Sequence, residues 1–232
     1  MKNKSFTVIC LILIFLIIIN LSLSFYRVAS AVNMNMKEKV IVIDPGHGGE
    51  DGGAVAFDGT NEKDLNLNIS LKLKDLFENN GFKVIMTRLE DTDLGDKNLS
   101  TIKERKRSDI INRTKICNTS NADLIISIHQ NYFEDPKYSG AQMFYGKQTE
   151  SKKLASYLQN EVKTSLQPTN KREIKEGKGI YILENTSLPI VLIECGFISN
   201  RDELIKLKDE IYVNKLSDAI YKGVCKYLNS LS

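Results

Sequence analysis

Val40–Ala54 reads VIVIDPGHGGEDGGA. Four β-branched residues, Val40 to Ile43, run unbroken and stop at Asp44-Pro45-Gly46. An apolar run of this length closed by turn residues is the pattern of a buried strand. The loop behind it, Asp44 to Asn61, holds six glycines, at 46, 48, 49, 52, 53 and 59. Asp64–Asn79 then carries Leu65, Ile69, Leu73 and Leu76 at helical spacing and closes on Asn80-Gly81. A buried strand, a glycine-rich turn and an amphipathic helix together open an α/β fold.

The rest of the chain extends that pattern. Phe82–Thr87, Asp123–Ile128, Ala141–Tyr145 and Ile190–Ile193 read as strands, and Ile180–Leu183 is a candidate strand. Thr101–Cys117, Glu150–Leu166, Arg201–Lys208 and Tyr212–Leu228 read as helices, and residues 167–179 as a basic, polar loop. Strands alternating with helices predict one α/β domain, residues 38–230, built on a mostly parallel sheet. No Pro/Ser/Gly-rich linker and no repeat divides it.

Upstream, Lys2 and Lys4 precede a charge-free run from Ser5 to Tyr26, mostly Ile, Leu, Val and Phe. A basic start before an apolar stretch is the layout of an export signal, and Ala29-Ser30-Ala31 suits cleavage before Val32. The run exceeds the roughly 7–15 residues usual in a signal and approaches the roughly 20 that span a bilayer. Residues 1–31 are therefore expected to be a signal peptide or a membrane anchor. Either places the remainder outside the cytoplasmic membrane, with membrane contact only through this segment. The chain carries 32 basic and 29 acidic residues. Lys2, Lys4 and Arg27 fall in residues 1–31 with no acid, so the remainder is formally neutral. That balance gives no basis for nucleic-acid binding, which needs a clustered basic face. Of the cysteines, Cys10 lies in the apolar run, and Cys117, Cys195 and Cys225 form no C-x-x-C. Neither a disulfide framework nor a cysteine metal site is indicated.

The domain has two histidines, His47 and His129, and each follows a predicted strand, as Glu194 follows Ile190–Ile193. In such sheets ligands bind outside the carboxyl ends of the strands. Two imidazoles and one carboxylate are a known ligand set for catalytic zinc, with a fourth position left for water. Glu62, where the glycine loop meets the helix, is the candidate third ligand; alone it would read as an acid at a helix N-terminus. Asp44, Glu50 and Asp51 are rivals, though Asp44 can instead brace the loop. Glu194 ends an apolar strand, where a carboxylate without a partner is costly. An activated water would be such a partner, and Glu194 would be its general base. GHGGEDGG lacks the G-K-[ST] ending of a phosphate loop and breaks G-x-G-x-x-G at Asp51. Its glycines instead read as letting backbone approach a ligand or metal closely.

The ordered strings IDPGHGGEDGGA, NEKDLNLNIS, VIMTR, ADLIISIHQN and VLIECGFISN resemble the zinc-dependent N-acetylmuramoyl-L-alanine amidases of type 3, from Val40 to about Tyr227. KREIKEGKGIYIL fits the spore-cortex, germination-specific branch of that family. The resemblance implies a mixed sheet flanked by helices on both faces. It implies zinc held by His47, Glu62 and His129, and Glu194 as the catalytic glutamate. The implied reaction is hydrolysis of the amide between muramic acid and L-alanine in peptidoglycan, ahead of muramic-lactam formation in the cortex. Some relatives need an accessory activating protein. Cys195 departs from the residue many relatives carry. Arg88, Arg105, Arg107 and Arg113 are candidates for holding stem-peptide carboxylates.

Two other readings use the same residues. Cys195 with His129 as base would make a cysteine hydrolase, which leaves His47 and Glu62 without a task. A non-catalytic peptidoglycan-binding domain would leave the whole set idle.

Overall fold

The structure is a computed structural model that describes residues 39–231, so the signal peptide or anchor expected at residues 1–31 lies outside the described residues. The strands are β1 (Val40–Pro45), β2 (Lys83–Met86), β3 (Leu124–Asn131), β4 (Gln142–Tyr145), β5 (Lys175–Glu176) and β6 (Ile190–Phe197). The helices are α1 (Glu62–Asn79), α2 (Ile102–Thr119), α3 (Thr149–Ser165), α4 (Tyr181–Asn185), α5 (Arg201–Lys208) and α6 (Glu210–Asn229). The strands form one sheet in the order β2-β1-β3-β6-β4-β5. β2, β1, β3 and β6 run parallel. β4 pairs antiparallel with β6, and β5 runs parallel to β4. This is the mostly parallel, mixed sheet expected.

Side chains alternate along a strand, and that alternation sorts the core. Ile41, Ile43, Ile126, Ile128, Val191 and Ile193 face a layer built by α1, α3, α5 and α6. Val42, Ile125, Ile190 and Leu192 face Cys117 of α2 and Ile182 and Leu183 of α4. Helices therefore cover both faces. In α1 the buried stripe is Leu65, Ile69, Leu73 and Phe77, with Phe77 taking the place expected of Leu76. α2 begins with a capping box in which the Thr101 and Glu104 side chains satisfy each other's backbone N–H groups. Its inner face holds Asp109, Arg113, Thr114 and Cys117. A helix this polar on its buried side is held by hydrogen bonds more than by an apolar stripe.

Three readings need correction. Ile180–Leu183 falls on the short helix α4 rather than a strand. Four apolar-rich residues carry no period that separates a buried turn of helix from a strand. The loop at 167–179 contains the two-residue strand β5. β3 and β6 continue past His129 and Glu194, so both residues lie inside strands, short of their ends.

Candidate active site

Glu194 pairs in register with His129 on β3 and with Gln142 on β4. Directly opposed residues project to one face of a sheet. Glu194 shares its side of β6 with Ile190 and Leu192, so His129, Glu194 and Gln142 form a row on the face that carries α2 and α4. Just beyond, the register slips: Asn131 pairs with Phe197. β6 thus holds one extra residue after Glu194. A bulge of this kind re-aims the following side chains, and here it turns Phe197 back to the face of the row.

The glycine loop brings His47 and Glu62 to the same place. His47 has φ 61°, a left-handed conformation uncommon for a residue with a β-carbon. Gly46 and Gly53 explain the close packing around it. A β-carbon at Gly46 would run into the His129 imidazole, and one at Gly53 would crowd the Glu62 carboxylate and the His47 ring. Bare backbone there lets both rings sit edge to face, with centroids 5.0 Å apart.

Glu62 lies between the rings, 3.2 Å from His47 Nε2 through Oε2 and 3.0 Å from His129 Nδ1 through Oε1. One ligand atom from each of His47, Glu62 and His129 lies within 4.8 Å of the others, so this group could hold a metal ion. The surroundings fix each member. Ala54 N donates to Glu62 Oε2 at 3.0 Å, and Gln130 N donates to Oε1 at 3.1 Å. Asn66 Nδ2 reaches Glu62 Oε1 at 3.3 Å and Gly46 O at 3.1 Å. Asp51 Oδ2 lies 2.7 Å from His47 Nδ1. A carboxylate on the far ring nitrogen fixes the tautomer and leaves Nε2 to face a metal. Asp51, a rival ligand by sequence, is thus an orienting group for His47. No spacing rule separates that role from ligation.

The charges follow from this packing. Burial alone would lower the His47 pKa, but hydrogen bonds and charge from Asp51 and Glu62 outweigh it and raise the imidazole to about 9. Glu62 resists the upward push of burial because both imidazoles hold its carboxyl well below the usual range. Glu194 has no such neighbours in contact. Burial pushes it up to about 7, against the opposing pull of His129. Its Oε2 is buried without a hydrogen-bond partner.

Other candidates are engaged elsewhere. Asp44 is braced by Thr87, Ser127 and Arg113. Glu50 pairs with Arg105 at 2.7 Å. Arg113 also donates to the carbonyls of Pro45 and His47, and Arg88 to those of Pro45, Gly46 and Lys63. These two arginines hold the glycine loop in shape and are not available to a ligand. Arg107 is exposed on α2. Cys195 lies on the opposite face of β6 from Glu194, fully buried in the main core. Burial pushes its thiol far above the usual range. A nucleophilic cysteine needs the reverse, so the cysteine-hydrolase reading fails.

Residues 41–226 match the type 3 N-acetylmuramoyl-L-alanine amidase family. The chain belongs to that family. Among relatives of this amidase-family chain is a germination-specific N-acetylmuramoyl-L-alanine amidase of Bacillus subtilis (strain 168). It is 42% identical over 196 residues, which cover 84% of this chain and 82% of the relative. The CwlD amidase from Clostridioides difficile, solved in complex with the GerS lipoprotein, superposes with TM-score 0.81 at 45% identity. That match covers 83% of this chain and 100% of the other. An N-acetylmuramoyl-L-alanine amidase from Clostridium difficile 630 follows the same fold, with TM-score 0.73 at 30% identity, covering 85% and 100% of the two chains.

Proposed function

We propose that this amidase-family chain is a zinc-dependent hydrolase of the bond between muramic acid and L-alanine in peptidoglycan. The observation that carries the reading is the convergence of His47 Nε2, a Glu62 carboxylate oxygen and His129 Nδ1 beside the unpartnered Glu194. Two imidazoles and a carboxylate suit zinc, and Asp51 behind His47 is the kind of outer support such a site uses. Bound there, zinc supplies Lewis acidity for water and for the scissile carbonyl. Glu194 takes the proton of the attacking water on its carboxylate and delivers it to the departing amine of L-alanine. A carboxyl pushed up to about 7 is matched to both halves of that transfer near neutral pH. The glycan keeps its muramic acid and the stem leaves whole.

Similarity to a germination-specific enzyme supports a role in the spore cortex, where stripped muramic acid is the precursor of its lactam. The CwlD–GerS complex supports an accessory protein for this chain as well. The reading includes an amidase domain over residues 38–230, exported behind residues 1–31 and working at the wall or cortex.

The test is a digest of purified peptidoglycan by the full chain, with zinc or with chelator, and products identified by mass. Stems beginning with L-alanine and glycan with intact muramic acid are expected, with zinc only. Release that survives chelation, or cuts between sugars, would sink the proposal.

A further inference from the structure

We infer that Arg172 anchors the first free carboxylate of the peptide stem, that of the residue following L-alanine, and thereby selects which stems are cut. The inference rests on the amidase reading and names a determinant that reading leaves open.

Arg172 is held but not satisfied. Its Nε donates to Ser139 O at 2.9 Å and its Nη1 to Gln142 Oε1 at 2.7 Å. Its guanidinium lies over the Phe197 ring, 4.4 Å from the centroid, with the Tyr138 ring 6.0 Å away. Among the described residues its Nη2 has no hydrogen-bond partner, and no carboxylate lies at ion-pair distance. The nearby acid Glu203 is occupied by the backbone N–H groups of Gly140 and Phe197. A planar cation fixed through Nε and Nη1, with Nη2 and the second Nη1 hydrogen left to donate, is prepared to grip a carboxylate in the two-pronged manner. Little side-chain entropy is left to lose on binding.

Its position fits the stem. Gln142, which Arg172 grips, stands directly across from Glu194, and the bulge after Glu194 supplies Phe197 as the ring beneath the guanidinium. Adjacent strands are about 5 Å apart, so Arg172 lies one to two strands from the general base. It is close enough to pull on the Glu194 charge. It also lines an open cavity of about 600 Å3 with Tyr138, Gln167 and Asn170, one that His47, Glu62, His129 and Glu194 do not line. L-alanine's own carboxyl is consumed in a peptide bond, so the nearest carboxylate that can be free is the α-carboxylate of the next residue, left open where the stem continues through that residue's side-chain carboxyl. Two residues reach about 7 Å, which falls within the roughly 5–10 Å that one to two strand spacings span. Of the four arginines that sequence offered for this task, Arg88 and Arg113 are committed to the loop and Arg105 to Glu50, while Arg107 is exposed on α2.

The test uses muramoyl stem peptides that differ only in whether the second residue's α-carboxyl is free or amidated. Wild type should prefer the free acid. Arg172→Gln should lose about 100-fold in kcat/KM on the acid and at most about 3-fold on the amide, with zinc content unchanged. Arg172→Lys should recover only part of the loss, because an ammonium cannot fork. Calorimetric binding of the two free stems to zinc-loaded Glu194→Gln reads the anchor without turnover. Selective binding without hydrolysis by wild type would overturn the amidase reading and keep the anchor. Hydrolysis with equal loss on both stems, or with no binding preference, would overturn the anchor and keep the amidase.

Discussion

Near their carboxyl ends β1 and β6 each carry one acid on the same face of the sheet, Asp44 buried and Glu194 half-buried, and the two acids have opposite fates. Asp44, paired across to Ser127, receives a hydroxyl from Ser127 at 2.7 Å, another from Thr87 at 2.6 Å, and the Arg113 guanidinium at 2.9 Å. Burial would raise its pKa, but Arg113 and the two hydroxyls hold it below the usual range. Glu194 is flanked by His129 and Gln142, yet one oxygen stays unpartnered and its pKa rises to about 7. The residue type does not decide between brace and base. The number of donors the neighbouring strands and helices aim at it does.

The largest effect that tests this contrast is on turnover. Glu194→Gln keeps the shape and removes the proton acceptor, so kcat should fall about 10³-fold or more while bound zinc, measured by metal analysis, stays stoichiometric. Retained activity would show that Glu194 is not the base. Next in size is Arg113→Met, which leaves Asp44 buried without its cation and frees the carbonyls of Pro45 and His47. A loss of roughly 3–5 kcal/mol is expected in denaturant unfolding; an unchanged midpoint would mean the two hydroxyls alone brace Asp44. The smallest effect separates the two acids by pH. The folded pKa of Glu194 lies above its ordinary value of 4.5, so the native state holds a proton that the unfolded chain has released. Its contribution to stability is full below about 4.5 and is lost as pH rises to about 7. Asp44 is shifted down, so its contribution is present above its ordinary value of 3.8 and is lost as pH falls. Glu194→Gln should therefore raise the stability of the metal-free protein by roughly 1–3 kcal/mol above pH 7 and by nothing near pH 4. A Tm gain that ignores pH would mean that charge burial is not its origin.

The scaffold was legible wherever period and punctuation agreed. Val40–Ile43, the glycine loop and the helix after it needed only the contrast between an apolar run, turn residues and helical spacing. His47, His129 and Glu194 could be placed because each follows an apolar run, and the sheet then had to gather them. Glu62 was the candidate third ligand from its place at the loop's end, in competition with Asp44, Glu50 and Asp51, and the resemblance to a known family singled it out. What stayed hidden is long-range partnership. Nothing local in Arg88 or Arg113 tells that their donors point back at loop carbonyls some 40 to 70 residues earlier. Arg172 sits in a loop without period, and its seat on Phe197 depends on one extra residue in a different strand. Ile180–Leu183 misled because four apolar-rich residues fit either regular structure.

The strand order places β2 and β5 at the margins of the sheet, and they span four and two residues against eight in β3 and β6. Unpaired backbone at a sheet margin is a template on which another chain can add a strand. The described residues offer very little of it, and Lys83, Lys175 and Glu176 put charge on what there is. Crowded copies of this chain therefore find few places among the described residues to zip together edge to edge.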